Sequence, residues 1–531
     1  LQALTFAPLG RDQGIFQYVA WALRHGARGY RDFHDINGPL PHAWHSLLQA
    51  LGGEDSHVFR TIDTMFIVSI YALAASGTPF WLGRKPSWPE AIAWALAGVG
   101  ILGAQYARYD WWHTAQREAL YAVLVYASVT LQVLGHHTRT PRRALLCFGA
   151  SGALTALTWF GKPPCVVFAM LQLAVLVVDR RSLAVSLRRA LGSGAAGAAA
   201  SGAGVLLFVL AYEDWRSGLR MLSSVPLLHH TIWNKSLLEC YEAYGNAPRI
   251  NWAVVTTVIF LGTFFVFRLP RRALLSLVLP LGGFTVFAGQ GKGFPYHMHM
   301  LTLGTGVTEL ALMAVAADWG RRAPAWCDFV AVAALGLGLE ARKSAVLSPG
   351  LKGSWAEVGA TAQLRSSTSY LEDFPWGDFF LKDLYEASDY VRKHTRPDDR
   401  IQTYGLDPYF LFLSRRQTAT PVIYDFELNV DAALEGGSGA SLSSSQRSQI
   451  LSYRSSAESL VLERVVSSPP AAFVFFDQAP FTYPEDGEAD FARHCPTVYR
   501  WLDSRYAAAM RFSKIRVRLR NDMAAAGMPD R

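Results

Sequence analysis

Apolar runs of about 17 to 25 residues recur through the first two thirds of the chain, the period expected of helices crossing a hydrocarbon core about 30 Å thick. They lie near Ile62–Leu82, Pro89–Ala107, Glu118–Leu134, Ala144–Phe160, Pro163–Val178, Ala190–Tyr212, Trp252–Phe267, Ala273–Gly289, Met298–Ala317 and Ala325–Leu339. The count predicts about ten spans. Before the first run, polar and aromatic residues alternate at helical spacing. Ile15, Phe16, Val19, Ala22 and Leu23 line one face of a first amphipathic helix, and Trp44, Leu47, Leu48 and Leu51 line a second; both are expected along the membrane interface. After about Arg342 long apolar runs stop. Leu381, Leu384, Ala387 and Val391 predict a helix over Phe380–Thr395, followed by a turn at Pro397-Asp398-Asp399 and a strand at Arg400–Tyr404. Further strands are expected at Thr420–Tyr424 and Ala472–Phe476, and helices at Arg447–Ser467 and Ala489–Ala507. The fold class is therefore a polytopic α-helical membrane protein with a C-terminal soluble α/β domain. The boundary is placed at residues 341/342, and residues 1–61 form a first extracytoplasmic loop.

Composition supports this division. Only 17% of the 531 residues are charged, against roughly 25% in ordinary globular chains. The net charge of +8 is spread over short loops and forms no single basic face, so a nucleic-acid partner is not expected. Sorted alternately, one set of loops holds Arg84 and Lys85; Arg139, Arg142 and Arg143; Arg180, Arg181, Arg188 and Arg189; Arg268, Arg271 and Arg272; and Arg321 and Arg322. The other set is poorer in positive charge and carries Arg108, Arg117, Lys162, Arg216, Arg220, Lys235, Arg249 and Lys292. The positive-inside rule makes the first set cytoplasmic. The N-terminal loop and the C-terminal region then face the extracytoplasmic side, in a bacterial setting of the inner membrane. Cys147, Cys165, Cys240, Cys327 and Cys495 show no metal-ligand spacing and read as small core residues. The chain opens without Met and without a signal pattern, which leaves room for a span before Leu1.

The N-terminal loop is too polar to span a membrane and too aromatic to be a solvated tail. It carries Gly10-Arg11-Asp12-Gln13-Gly14 before the first amphipathic helix, then Tyr30-Arg31-Asp32-Phe33-His34-Asp35-Ile36-Asn37-Gly38-Pro39-Leu40-Pro41 before the second. An Asp at the loop's start, a Tyr-x-Asp stretch leading to Pro-Leu, a second helix ending at a Gly, and Arg60 and Asp63 at the next span form a pattern. Gln116-Arg117-Glu118, Lys162-Pro163 and Gly291-Lys292-Gly293-Phe294-Pro295-Tyr296-His297 stand at later span ends. This pattern resembles the GT-C glycosyltransferases, in particular the protein O-mannosyltransferase and aminoarabinose transferase group.

The resemblance implies a sugar donor linked to polyprenyl phosphate, a lipid, glycan or protein acceptor, surrounding membrane lipids, and an acidic residue of the first loop acting on the acceptor. By position that residue is Asp12. A hydroxyl nucleophile is weak at its own pKa, and a positioned carboxylate base raises its rate by about 10² to 10⁴. The plain alternative for Asp12 is a helix N-cap. The group often has a second acid beside the first, and here Gln13 stands in that place. Asp32, Asp35 and Asp110 are the candidates for a second carboxylate; for Asp32 and Asp35 ordinary turn chemistry competes.

A departing phosphate calls for positive charge or oriented donors. Lys292, Arg117, Lys162 and His297 are the candidates, against snorkelling for Lys292 and an Arg117–Glu118 pair at the helix entrance. His42 and His45 share a helix face, but no third ligand stands at metal spacing, so no metal site is assigned, no cofactor is required, and a loosely held divalent cation is left open. Two other functions compete: a transporter or flippase of lipid-linked glycans, and a non-catalytic glycan-binding protein. Against the first, the intramembrane segments hold few buried charges and no evident inverted repeat, and the second leaves the polar aromatic loop unexplained.

Overall fold

The computed structural model describes residues 5, 7–320, 378–435 and 442–525. Helices of eight residues or more are numbered in chain order. The first loop folds as α1 (Arg11–Arg24) and α2 (Pro39–Gly52). Then come α3 (Ser56–Ser76), α4 (Trp88–Ala107), α5 (Arg117–His137), α6 (Pro141–Gly161), α7 (Val166–Val178) and α8 (Leu187–Tyr212). They are followed by α9 (Trp215–Trp233), α10 (Asn246–Val266), α11 (Val278–Gln290) and α12 (His299–Gly320).

By length and composition seven helical stretches can cross a membrane: Ser56–Ser76, Arg117–His137, Pro141–Gly161, Leu187–Tyr212, Leu237–Val266, Arg271–Gln290 and Pro295–Trp319. With α4 and the shorter Pro163–Val178 they account for nine of the ten expected spans. The tenth, Ala325–Leu339, lies outside the described residues. Leu206, Leu207 and Leu210 of α8 and Val254, Val258 and Phe265 of α10 are each more than half exposed. A stripe of that kind marks a lipid-facing surface and makes this an integral, multi-pass membrane protein.

Two devices hold the bundle together. Central α5 is buried along most of its length, and its Ser128 hydroxyl bonds Ser151 and Thr155 of α6 while Gln172 of α7 donates to it. No polar group of that network is left facing hydrocarbon. Helices α6 and α8 meet backbone to backbone: a Cβ added at Gly152 would lie 2.2 Å from Gly194 O, and one at Gly197 would lie 1.9 Å from Gly149 O. The basic loops gather at one end of the bundle, where Arg84 pairs with Glu90 and Asp318 and Arg271 bonds Val178 O. The loops carrying Asp12, Arg117, Lys162 and Lys292 gather at the other.

At that second end sits a five-stranded sheet in the order β2-β1-β3-β5-β4, with β1 (Arg400–Tyr404), β2 (Gln417–Thr418), β3 (Ala472–Phe476), β4 (Met510–Phe512) and β5 (Ile515–Leu519). Strands β1, β2 and β3 run parallel, and β5 is antiparallel to β3 and β4. All five residues of β3 are buried, as a central strand covered on both faces requires. One face packs Phe473 and Phe475 under α14 (Ser444–Ser467), α15 (Gly487–His494) and α16 (Pro496–Asp503). The other packs Ile401, Val474 and Val517 under α13 (Leu381–His394) and shares one core with Tyr18, Val19, Leu23 and Phe33 of the first loop.

Three expectations change. The strand expected at Thr420–Tyr424 lies earlier, at Gln417–Thr418, because Pro421 has no N–H for a ladder and Tyr424 is drawn off to bond Asp35. The helix expected over Ala489–Ala507 is two helices, broken at Pro496. Helix α1 does not lie on the membrane surface. It is buried on every side between the spans and the sheet region, whereas α2 keeps Leu47 and Leu51 exposed, as an interfacial helix would.

Candidate functional site

A cavity of about 310 Å³ opens between the ends of the spans and the sheet region. It is lined by Asp12, Arg117 and Tyr296 and by the rings of Trp112, Trp233, Phe294, Tyr424 and Phe481. A few convergent polar groups inside an aromatic shell is the usual build of a small-molecule site.

Gly10 is the N-cap of α1, so Asp12 stands in the first helical turn and is not the N-cap. The positive end of the helix dipole favours its charge there. Burial pushes the Asp12 pKa up, and the nearby Arg117 offsets only part of that rise. Neighbouring Gln13 is fully buried and does what an acid cannot: its amide donates to Thr114 O at 2.6 Å and Trp112 O at 2.9 Å, while its oxygen accepts Gly10 N–H at 2.6 Å. Gln13 therefore clamps the Trp111–Thr114 segment against α1, and that segment forms one cavity wall.

Arg117 pairs with buried Glu118 at 3.0 Å, and Lys162, at the end of α6, bonds the same Glu118 oxygen. His297 lies 3.9 Å from it and is buried. Arg117 is the member of this group that lines the cavity, with Glu118, Lys162 and His297 packed around its base. Lys292 is half-buried, and its ammonium meets Nδ1 of His229. Burial, with the charges of Arg117 and Lys162, lowers the Lys292 pKa to about 7. His229 itself lines the cavity. It was not singled out from the sequence, since Leu228-His229-His230 falls within an amphipathic helix and has no catalytic spacing; only its place in the long loop after α8 set it apart.

The candidate second acids divide. Asp32 stays local, accepting Arg28 N–H at 2.8 Å and pairing with Arg31 at 2.7 Å, which is turn chemistry. The side chain of Asp110 lies outside the described residues. Asp35 is fully buried. One oxygen accepts from Asn37 at 2.6 Å and from Tyr424 at 3.1 Å, and the other faces His42 Nε2 at 2.9 Å. His42 Nδ1 reaches Glu213 at 2.8 Å. Burial alone would drive His42 neutral, but the bonds to Asp35 and Glu213 hold its pKa up to about 9. Burial likewise pushes Asp35 up, and His42 more than reverses it. This carboxylate–imidazolium–carboxylate chain stitches the first loop to the end of α8, and Tyr424 ties it to the sheet region.

The two later signposts of the loop pattern are placed alongside. Arg60 is buried and donates to Pro8 O at 2.5 Å and Trp111 O at 2.9 Å, and Asp63 accepts from Tyr106 at 3.3 Å. Both brace the loop and do not line the cavity. His45 faces Gln17 at 3.0 Å and not His42. Among the described residues no three His, Cys, Asp or Glu side chains gather as metal ligands.

Fold and cavity together define a class: a multi-pass membrane protein whose polar site is closed between the ends of its spans and a sheet-bearing region. No family model matches the chain, and no curated protein matches it. Among solved structures it is similar to ArnT from Cupriavidus metallidurans bound to undecaprenyl phosphate, at 13% identity and a TM-score of 0.49, over 97% of this chain and 95% of that one. It is also similar to the oligosaccharyltransferase of Archaeoglobus fulgidus. The apo form gives 11% identity and a TM-score of 0.47, over 88% of this chain and 66% of that one. The complex with zinc and sulfate gives 11% identity and a TM-score of 0.41, over 78% and 59%.

Proposed function

We propose that the chain is a membrane glycosyltransferase. It moves a sugar from a polyprenyl-phosphate-linked donor to a hydroxyl of a lipid, glycan or protein acceptor on the extracytoplasmic face. The observation that carries this reading is the opening of Asp12 and Arg117, of opposite charge, into one aromatic cavity at the ends of the spans. A lipid-linked donor needs such a place, with its chain in the bilayer and its phosphate and sugar at the edge of the spans. Nothing in a passive anchor calls for it.

In the step this implies, the acceptor hydroxyl oxygen bonds to the anomeric carbon as the carbon–oxygen bond to phosphate breaks. The electron pair of that bond leaves with the polyprenyl phosphate, whose charge grows from one to two. The hydroxyl proton passes to Asp12. Arg117 supplies positive charge where the negative charge grows. Asp35, fully engaged by His42, Asn37 and Tyr424, is a structural acid in this reading.

Asp12→Asn keeps the size of the side chain but removes its charge and cannot take the proton. Transfer from a labelled polyprenyl-phosphate sugar in membranes is expected to fall by about 10² to 10⁴, with expression unchanged. Full activity in that variant removes Asp12 from the mechanism. A flippase would move labelled lipid across vesicles and leave the sugar–phosphate bond intact, so the same substrate separates the two readings.

A further inference from the structure

The turn between α11 and α12 carries Lys292 between two glycines with left-handed backbones, Gly291 at φ +58° and Gly293 at φ +70°. Only glycine takes that conformation cheaply. Both glycines are tied down: Asn246 donates to Gly293 O at 2.6 Å, and Lys235 N–H to Gly291 O at 2.7 Å. The turn therefore delivers one ammonium to one fixed place, Nδ1 of His229. The His229 ring is held in turn by Phe426 and Phe481, at centroid distances of 5.9 Å and 5.6 Å. His229 shares the cavity lining with Asp12 and Arg117, and Lys292 stands behind it.

We infer that His229 is a catalytic residue that donates its Nε2–H to the phosphate oxygen leaving with the polyprenyl chain, and that Lys292 is a positioning residue acting through it. This rests on the glycosyl-transfer reading above. An ammonium has three donors and no acceptor, so it obliges Nδ1 to accept and leaves the ring proton on Nε2. Burial, with the charges of Lys292 and Arg117, keeps the ring neutral, well below the ordinary imidazole value. One tautomer is thereby selected, on a ring that lines the cavity. As the sugar–phosphate bond breaks, charge accumulates on the phosphate oxygens, and a donor fixed beforehand stabilises that charge more than it stabilises the ground state. Arg117 supplies charge, and His229 supplies direction. Lys292, expected from the sequence to hold phosphate itself, sets the direction from one residue away.

The first test is spectroscopic and uses the unaltered full chain in nanodiscs. Nitrogen-15 histidine spectra at about pH 6.5, with His229 assigned through His229→Gln, are expected to show the neutral Nε2–H tautomer. Decaprenyl phosphate should then shift the Nε2 signal. An imidazolium or an Nδ1–H ring overturns the inference.

The second test is kinetic. His229→Ala is expected to lower kcat about 10² to 10³-fold with KM nearly unchanged, as loss of one preorganised donor does. His229→Gln, whose amide nitrogen can occupy the Nε2 position, should recover at least about tenfold of that. Lys292→Met alone should cost about tenfold and add nothing in the His229→Ala background. Equal losses in both backgrounds mean that Lys292 touches phosphate directly, and the inference falls. A wild-type chain that neither transfers sugar nor binds decaprenyl phosphate defeats the glycosyl-transfer reading and this inference together. Wild-type turnover with His229→Ala unimpaired defeats this inference alone.

Discussion

Asp12 is held between two opposing influences. Burial favours its neutral acid, and Arg117 favours its carboxylate, with burial the stronger. If ionised Asp12 takes the acceptor's proton, the acidic limb of the rate profile lies above the usual carboxylate range. Arg117→Gln, which removes the lowering influence, should move that limb further up; initial rates between about pH 4 and 8 read both shifts. A limb that stays put in the variant separates Asp12 from the titration. His42 makes a different prediction. Its folded pKa of about 9 lies above the ordinary 6.5, so the stability it adds is full below 6.5 and is lost as pH rises through about 9. The difference in melting temperature between wild type and His42→Gln should therefore shrink across that window, and a constant difference would mean that the imidazolium carries no stability. These roles were unevenly legible. Asp12 and Arg117 stand out because they are charged residues at the edges of apolar runs. His42 and Asp35 did not declare themselves a pair, since their partner Glu213 is 171 residues away from His42.

Helices in this fold were read most reliably where one physical signal dominated. Apolar length marked the spans, whereas α14 starts three residues before the expected Arg447, at a capping box of Ser443 and Gln446 that the reading passed over. No strand was expected beyond Ala507, although Ile515, Val517 and Leu519 alternate with Arg516 and Arg518. The arginines give that stretch the look of a solvated tail, yet Arg518 is buried against Glu488 and Asp503. Small residues were legible as apolar but not as contacts. Gly197 presses on the backbone of α6, while Gly192 on the same helix has nothing within 4 Å. Gly197→Leu is therefore expected to destabilise the bundle by at least about 1 to 3 kcal/mol, the usual overpacking cost, while Gly192→Leu leaves the melting temperature in detergent unchanged. Equal melting of the two variants would deny that the α6–α8 contact matters.

At the scale of the whole molecule, loop charge assigned the cavity, the first loop and the sheet region to one side. The structure gathers the basic loops at the opposite end of the bundle. A cysteine in place of the exposed Ser444 is expected to react with an impermeant maleimide from the extracytoplasmic side; protection in intact cells and labelling after lysis would invert the topology. The sequence could not show that the first loop and the sheet region have a common interior. Hydropathy reports that a face is apolar and not which face it meets. The Tyr18 hydroxyl accepts the backbone N–H of the distant Thr418, Gly14 leaves room for Tyr409, and Arg11 is paired with Asp407, 396 residues further on. That separation has a consequence in time. A ribosome adding about 5 to 20 residues per second needs roughly 20 to 80 seconds to pass from one partner to the other. Throughout that interval the nascent loop is already made while its cover is not, so Tyr18, Val19 and Phe33 have only chaperones or lipid to shield them. A chain whose synthesis stops before the sheet region is left with that surface bare, a substrate for proteases and not a smaller enzyme.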